Sequence, residues 1–167
     1  PLISIITPSY NSESFIEFSI KSVMDQTYKY WEMLIVDDKS VDNCREIINK
    51  YTELDSRIKS INLEKNVGAA EARNFALRIA KGKFIAFLDC DDIWLPEKLE
   101  VQLDFMRKNN YAFTFSAYQI FSEDGKTNYQ TINVPKVIDY KGYLKNTIIG
   151  CLTVVINREK TGYFEMP

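Results

Sequence analysis

The segment Phe84-Ile85-Ala86-Phe87-Leu88, running straight into Asp89-Cys90-Asp91-Asp92, limits the possible folds more than any other stretch. An unbroken apolar run behind Gly82 suits a strand buried on both faces, as in a parallel sheet covered by helices. Three carboxylates in four positions at its end repel one another, and their desolvation is unfavourable. A divalent cation converts that repulsion into ligation. The Asp-x-Asp spacing sets Asp89 and Asp91 on the same side of an extended segment. A helix start with Asp92 as cap and Pro96 and Glu97 in the first turn accounts for Asp92, but not for the other two.

The same pattern recurs along the chain. Leu2 to Thr7 reads as a strand ending at Pro8-Ser9-Tyr10-Asn11, and Trp31 to Val36 as a second ending at Asp37-Asp38. Ile58 to Leu63 is a short third strand. Helical stripes lie between: Phe15, Ile16, Ile20, Val23 and Met24 after a start at Asn11 or Ser12, then Ile47, Ile48 and Tyr51 behind Ser40 or Asp42. Asn66-Val67-Gly68 is a turn before a helix over 69–80, with Gly82 expected as its C-terminal cap. Leu99, Leu103 and Met106 mark another helix, ending at Asn109-Asn110. Alternating strand and helix predict an α/β, doubly wound, mostly parallel sheet. Its ligand belongs beyond the carboxyl ends of the strands, where the unusual residues gather.

From Tyr111 the pattern changes. Tyr111 to Phe121 is expected as one strand, Glu123-Asp124-Gly125-Lys126 as a hairpin turn, and Asn128 to Val134 as its return. Asp139 is expected to cap a short helix through Leu144, and Leu152 to Ile156 to form a last strand. These are antiparallel additions to one domain over 1–167, with a ligand-binding half over 1–110 and the start of a second half over 111–167.

Composition narrows the chemistry. The 167 residues contain no histidine, which excludes a histidine base, a Ser-His triad and a His-ligated zinc. A metal would take mainly oxygen ligands, pointing to Mg²⁺ or Mn²⁺. No glycine precedes Gly68, so the first strand–helix junction holds neither GxGxxG nor a P-loop. A formal net charge of −2 without a basic cluster speaks against nucleic acid as a partner. No apolar run nears the roughly 20 residues of a membrane span. Cys44, Cys90 and Cys151, an odd number without metal spacing, read as free thiols in a reducing, cytoplasmic setting.

Five segments then come together: Ile6-Thr7-Pro8-Ser9-Tyr10-Asn11, Gln26-Thr27-Tyr28, Val36-Asp37-Asp38-Lys39-Ser40, Asn66-Val67-Gly68-Ala69-Ala70 with Arg73-Asn74, and Leu88-Asp89-Cys90-Asp91-Asp92. In this order they resemble the nucleotide-sugar-binding part of the inverting family 2 glycosyltransferases with the GT-A fold. Lys39 stands where that family often has glycine. The resemblance implies a donor site of Pro8, Ser9, Tyr10, Asp38, Gly68, Arg73, Asp89, Cys90 and Asp91. Tyr10 would stack on the base and Asp38 would accept the imide N–H of uracil. Asp91 would hold Mn²⁺ or Mg²⁺ bridging the diphosphate, with Asp89 on the ribose or a metal-bound water. Against these stand plainer roles: Tyr10 as a core aromatic, Asp37-Asp38 as helix caps, Arg73 on a solvated helix face, and Trp94 as packing.

The implied reaction is metal-dependent transfer of a sugar, with inversion, from a UDP-sugar to a glycan or lipid-linked acceptor. Peripheral association with the inner face of the cell membrane is compatible with it. The family's base, an aspartate opening a helix after a late strand, is expected beyond Pro167, since neither Glu159 nor Glu165 matches its motif. A donor-binding fragment without turnover is the alternative. So is a nucleotidyltransferase, but that would favour a basic, glycine-rich loop after the first strand.

Overall fold

The computed structural model describes residues 1–121, 130–139, 141, 142 and 149–167. A six-stranded sheet forms its centre, built from β1 (Ile3–Ser9), β2 (Trp31–Asp37), β3 (Ile58–Asn62), β4 (Phe84–Phe87), β5 (Phe113–Thr114) and β8 (Val155–Asn157). The spatial order is β3-β2-β1-β4-β8-β5. The first four strands are parallel; β8 runs antiparallel between β4 and β5. Within β1 to β4, alternate residues serve opposite faces, as the strand period of two requires. Ile3, Ile5, Met33, Ile35, Phe84 and Ala86 join one core, against α1 (Ile16–Met24), α2 (Cys44–Leu54) and α4 (Lys98–Asn109). Ile6, Leu34, Val36, Ile85 and Phe87 join the other, beneath α3 (Ala69–Ile79). With helices on both faces, every residue of β1, β2 and β4 is buried, which explains the unbroken apolar run of β4 and the largely apolar character of β1 and β2.

Four expectations change. The first helix opens at Ile16, because Asn11 adopts a left-handed φ of 49° and Ser12 starts a turn, its carbonyl accepting from Phe15 and Ile16. Gly82 is not a left-handed cap. A Cβ there would lie 2.4 Å from the Ser4 backbone nitrogen, so the glycine permits close approach to β1. The predicted strand 111–121 divides into β5 and β6 (Tyr118–Ile120), which belong to different sheets. Leu152 does not extend the last strand, since residues Cys151–Thr153 form a 3-10 turn ahead of β8.

β6 pairs antiparallel with β7 (Gln130–Ile132), inside the expected return strand; the turn at 123–126 lies outside the described residues. Asp139 does cap, its carboxylate accepting from the Gly142 N–H at 2.7 Å, and the rest of that helix also lies outside them. After β8 a short α5 (Arg158–Thr161) leads to a tail held on α3. The Asn74 side chain accepts from the Met166 N–H at 2.7 Å and donates to its carbonyl at 3.1 Å.

Candidate donor site

The strand order reverses between β1 and β4, and the carboxyl ends of β1, β2 and β4 open there. Backbone bonds hold the three ends together. The Asp38 N–H donates to the Ser9 carbonyl at 2.8 Å, and the Leu88 N–H to the Ile6 carbonyl at 3.0 Å. Tyr10 stands 52% exposed at the rim, so it is free to offer a ring face and is not a core aromatic. Asp38 is buried at the floor. One of its carboxylate oxygens accepts from Val67 N–H at 2.7 Å and the other from Gly68 N–H at 2.8 Å. Two backbone donors fix the carboxylate's orientation and leave a lone pair on each oxygen. Gly68, at φ 86° and ψ 159°, occupies a region open essentially to glycine alone and turns the chain into α3. Lys39 adopts φ 63°, which explains the preference for glycine at that place.

Asp37 does not cap a helix. It is fully buried, pairs with Arg45 Nε at 2.5 Å and accepts from Ser40 N–H at 3.2 Å. Asp42 serves the start of α2, accepting from the Cys44 N–H at 3.1 Å, while the Ser40 hydroxyl accepts from Asn11 N–H.

Beyond β4 the acidic turn is clamped from behind. The Ser19 hydroxyl lies within hydrogen-bonding distance of the carbonyls of Asp89, Cys90 and Asp92, and the Ser22 hydroxyl accepts from Trp94 N–H. Fully buried Gln26 donates to the Leu95 carbonyl at 2.8 Å and accepts from Leu99 N–H at 3.0 Å. The clamp was not recognised from the sequence as such; its traces there are the i, i+3 serines of the first helix and the Gln26-Thr27-Tyr28 motif.

In front of the clamp, Arg73 donates to Asp89 at 2.5 Å, so Arg73 lies neither on a solvated face nor free. Its Nε is enclosed without a partner among the described residues. Asp91 is exposed, and no ion pair holds it among the described residues. Asp92 does not cap α4, which begins six residues later; burial, then the charges of Asp91 and Asp89, push its carboxyl up to about 6. The turn therefore carries more negative charge than its own protein partners neutralise, as a cation site would. Among the described residues no three acidic or cysteine side chains converge, so a cation here would draw most of its ligands from elsewhere. Oxygen donors limited in number suit Mg²⁺ or Mn²⁺, which keep waters and phosphate oxygens in their shells.

Three expected donor residues turn inward. Pro8 is buried within β1. The Ser9 hydroxyl lies 2.8 Å from the Ser12 hydroxyl and 2.9 Å from the Cys44 sulfur. Cys90 packs on the core, where burial raises its thiol pKa. Pro8 and Ser9 lie in β1, which is buried on both faces, and Cys90 sits in the turn beyond β4, so these side chains shape the site from behind. Trp94 is packing, as its plainer reading held: it is 5% exposed and its Nε1 donates to the Leu152 carbonyl at 2.9 Å. All three cysteines are free.

The description Glycosyl transferase family 2 matches residues 4–160. The chain belongs to that family. Among family 2 relatives, it is 50% identical over 167 residues to the putative teichuronic acid biosynthesis glycosyltransferase TuaG of Bacillus subtilis, covering all of this chain and 66% of that protein. It is 48% identical over 166 residues to the Escherichia coli UDP-Glc:alpha-D-GlcNAc-diphosphoundecaprenol beta-1,3-glucosyltransferase WfgD, covering 99% of this chain and 64% of that one. It thus spans under two thirds of the length of these relatives. The structure of S. aureus TarS 1-349 with UDP-GlcNAc aligns at TM-score 0.78 and 25% identity over 98% of this chain and 48% of TarS 1-349. The mannosyltransferase PcManGT of Pyrobaculum calidifontis, solved with GDP-Man and Mn²⁺, shares the fold at TM-score 0.71 and 18% identity, over 97% of this chain and 47% of that one. The family 2 chain therefore has the GT-A fold.

Proposed function

We propose that this chain is the donor-binding part of a metal-dependent, inverting glycosyltransferase that takes a UDP-sugar and extends a lipid-linked acceptor. The observation that carries the reading is the exposed Asp91, unpaired among the described residues, beside the Arg73–Asp89 pair at the point where the strand order reverses. Two relatives support the substrate classes: WfgD is named for UDP-Glc and a diphosphoundecaprenol acceptor, and TarS was solved with UDP-GlcNAc.

Each residue has a distinct task. Tyr10 offers its ring to the base. Asp38, held by Val67 and Gly68, accepts the imide N–H of uracil, a donor that cytosine lacks. Asp89 orients on the ribose side, fixed by Arg73. Asp91, assisted by Asp89, would hold Mn²⁺ or Mg²⁺. That ion supplies Lewis-acid stabilisation of the departing diphosphate, the charge handling that a glycine-rich loop would otherwise perform. Neither late glutamate is free to act as base: Glu159 pairs with Lys83, and Glu165 with Arg78 and Tyr163.

Calorimetry with UDP, with and without Mn²⁺, tests the reading. Binding should strengthen at least tenfold with the metal, and Asp91→Ala should abolish that increment. A metal-independent UDP affinity, or an increment that survives the substitution, sinks the proposal.

A further inference from the structure

A second cavity lies apart from the acidic cleft. It has a volume of about 780 Å³ and lies on the α3 side of the sheet, over β4, β8 and β5. Its floor includes Phe87, Val154 and Ile156, and its walls Phe113, Phe115 and Phe164. The Phe87 and Phe164 rings meet edge to face at 6.5 Å. The mouth opens along an aromatic rim, with Phe105, Tyr111 and Phe113 51%, 45% and 43% exposed. A surface of this kind is costly to leave in water and marks a binding site for something apolar.

Two features decide what that is. The cavity joins the acidic site: Phe87 leads through Leu88 to Asp89, and Cys151 both lines the cavity and lies within electrostatic reach of Arg73, Asp89 and Asp92. Among the described residues its lining also carries a single cation. Of the two charged lining residues among those described, Asp139 keeps its charge and turns its carboxylate to the Gly142 N–H at 2.7 Å, and Lys136 is the cation. An apolar trough with one lysine at its opening, beginning beside a donor site, matches a molecule with a hydrocarbon tail and an anionic head.

We propose that this cavity is the acceptor-lipid subsite, taking the first isoprenoid units of a polyprenyl diphosphate while Lys136 meets the diphosphate. The inference rests on the lipid-linked acceptor put forward above. It accounts for the aromatic rim, which the donor chemistry does not use. Branched alkenes fill gaps between aromatic rings, and a tail held there leaves the head-group sugar free to reach the acidic cleft.

The test uses the natural chain at full length, saturated with UDP and Mn²⁺ so that the donor site is closed to pyrophosphate. Affinities are measured for farnesyl diphosphate, farnesol and inorganic pyrophosphate. Farnesyl diphosphate should bind at least tenfold tighter than pyrophosphate, with farnesol retaining measurable binding. Phe105→Asp should weaken farnesyl diphosphate tenfold or more with UDP binding unchanged. Val137→Asp, at a lining residue 79% exposed, should do the same and replaces the first variant if that one also loses UDP. Equal binding of pyrophosphate and farnesyl diphosphate overturns the proposal, as does an unaltered affinity in both variants. So does a wild-type chain that binds UDP but not farnesol, since its own polypeptide or another partner then fills the cavity. Failure of the donor reading is a separate result, visible as absent UDP binding.

Discussion

Lys98 is a residue that the fold accommodates at a cost. It opens α4, where the helix dipole disfavours a cation, and its ammonium is enclosed without a hydrogen-bond partner among the described residues. The stem is half-exposed, but the nitrogen lies 3.8 Å from the centre of the Trp94 ring. Desolvation pulls its pKa down to about 7. The folded state therefore binds fewer protons than the unfolded chain between about pH 7 and the usual lysine value near 10.5. Over that window this group's contribution to stability rises with pH, at most about 1.4 kcal/mol per unit, and is lost as pH falls through 7. Lys98→Met keeps the stem and removes the charge. It should be more stable than the parent at pH 6 to 7, with the gap closing towards pH 10. Urea denaturation at several pH values checks this, and parallel curves for the two chains would refute it.

At the scale of elements, the two ends of the sheet are built differently. The carboxyl ends run into turns that frame a cleft, while the amino ends are closed by a polar knot. There the Ser4 hydroxyl donates to Glu32 at 2.7 Å and accepts from Gly82 N–H at 2.8 Å, and Lys59 pairs with Glu32 at 2.6 Å. Gly82 makes the knot possible, since its missing Cβ leaves room for the Ser4 backbone. Gly82→Ala should cost about 1–3 kcal/mol by overpacking, measured by thermal unfolding, with Mn²⁺-dependent UDP affinity in the folded fraction unchanged. The strands and most helices were legible in the sequence because burial on both faces leaves long apolar runs. Gly82 was misread because a glycine after a helix looks the same whether it caps the helix or admits a neighbouring strand. The break between β5 and β6 was illegible for a related reason: residues 111–121 are mostly apolar and aromatic with no turn residue to divide them, and the departure of β6 to pair with β7 is a matter of partners.

For the whole molecule, base recognition and diphosphate binding rest on different strands and should separate. Asp38 follows β2 and Asp91 follows β4, with β1 between them. UDP should bind about tenfold or more tighter than CDP, the worth of one charge-assisted hydrogen bond. Asp38→Asn should narrow that ratio while leaving the metal increment in place, and Asp91→Ala should do the reverse. Calorimetry on the four combinations decides it; if either substitution removes both effects, the two functions are not carried by separate strands.

The sequence alone determined the doubly wound sheet, the family, and the placing of Tyr10, Asp38, Asp89 and Asp91 at strand ends, because periodicity and acidic strand termini are local properties. Only the tertiary structure decided which of the motif residues face outward. It turned Ser9 and Cys90 into the core, tied Arg73 to Asp89, and braced the acidic turn on Ser19, Ser22 and Gln26. These contacts join residues far apart in the chain, and the cost of burying their polar groups is met only once the packed elements bring the partners within reach.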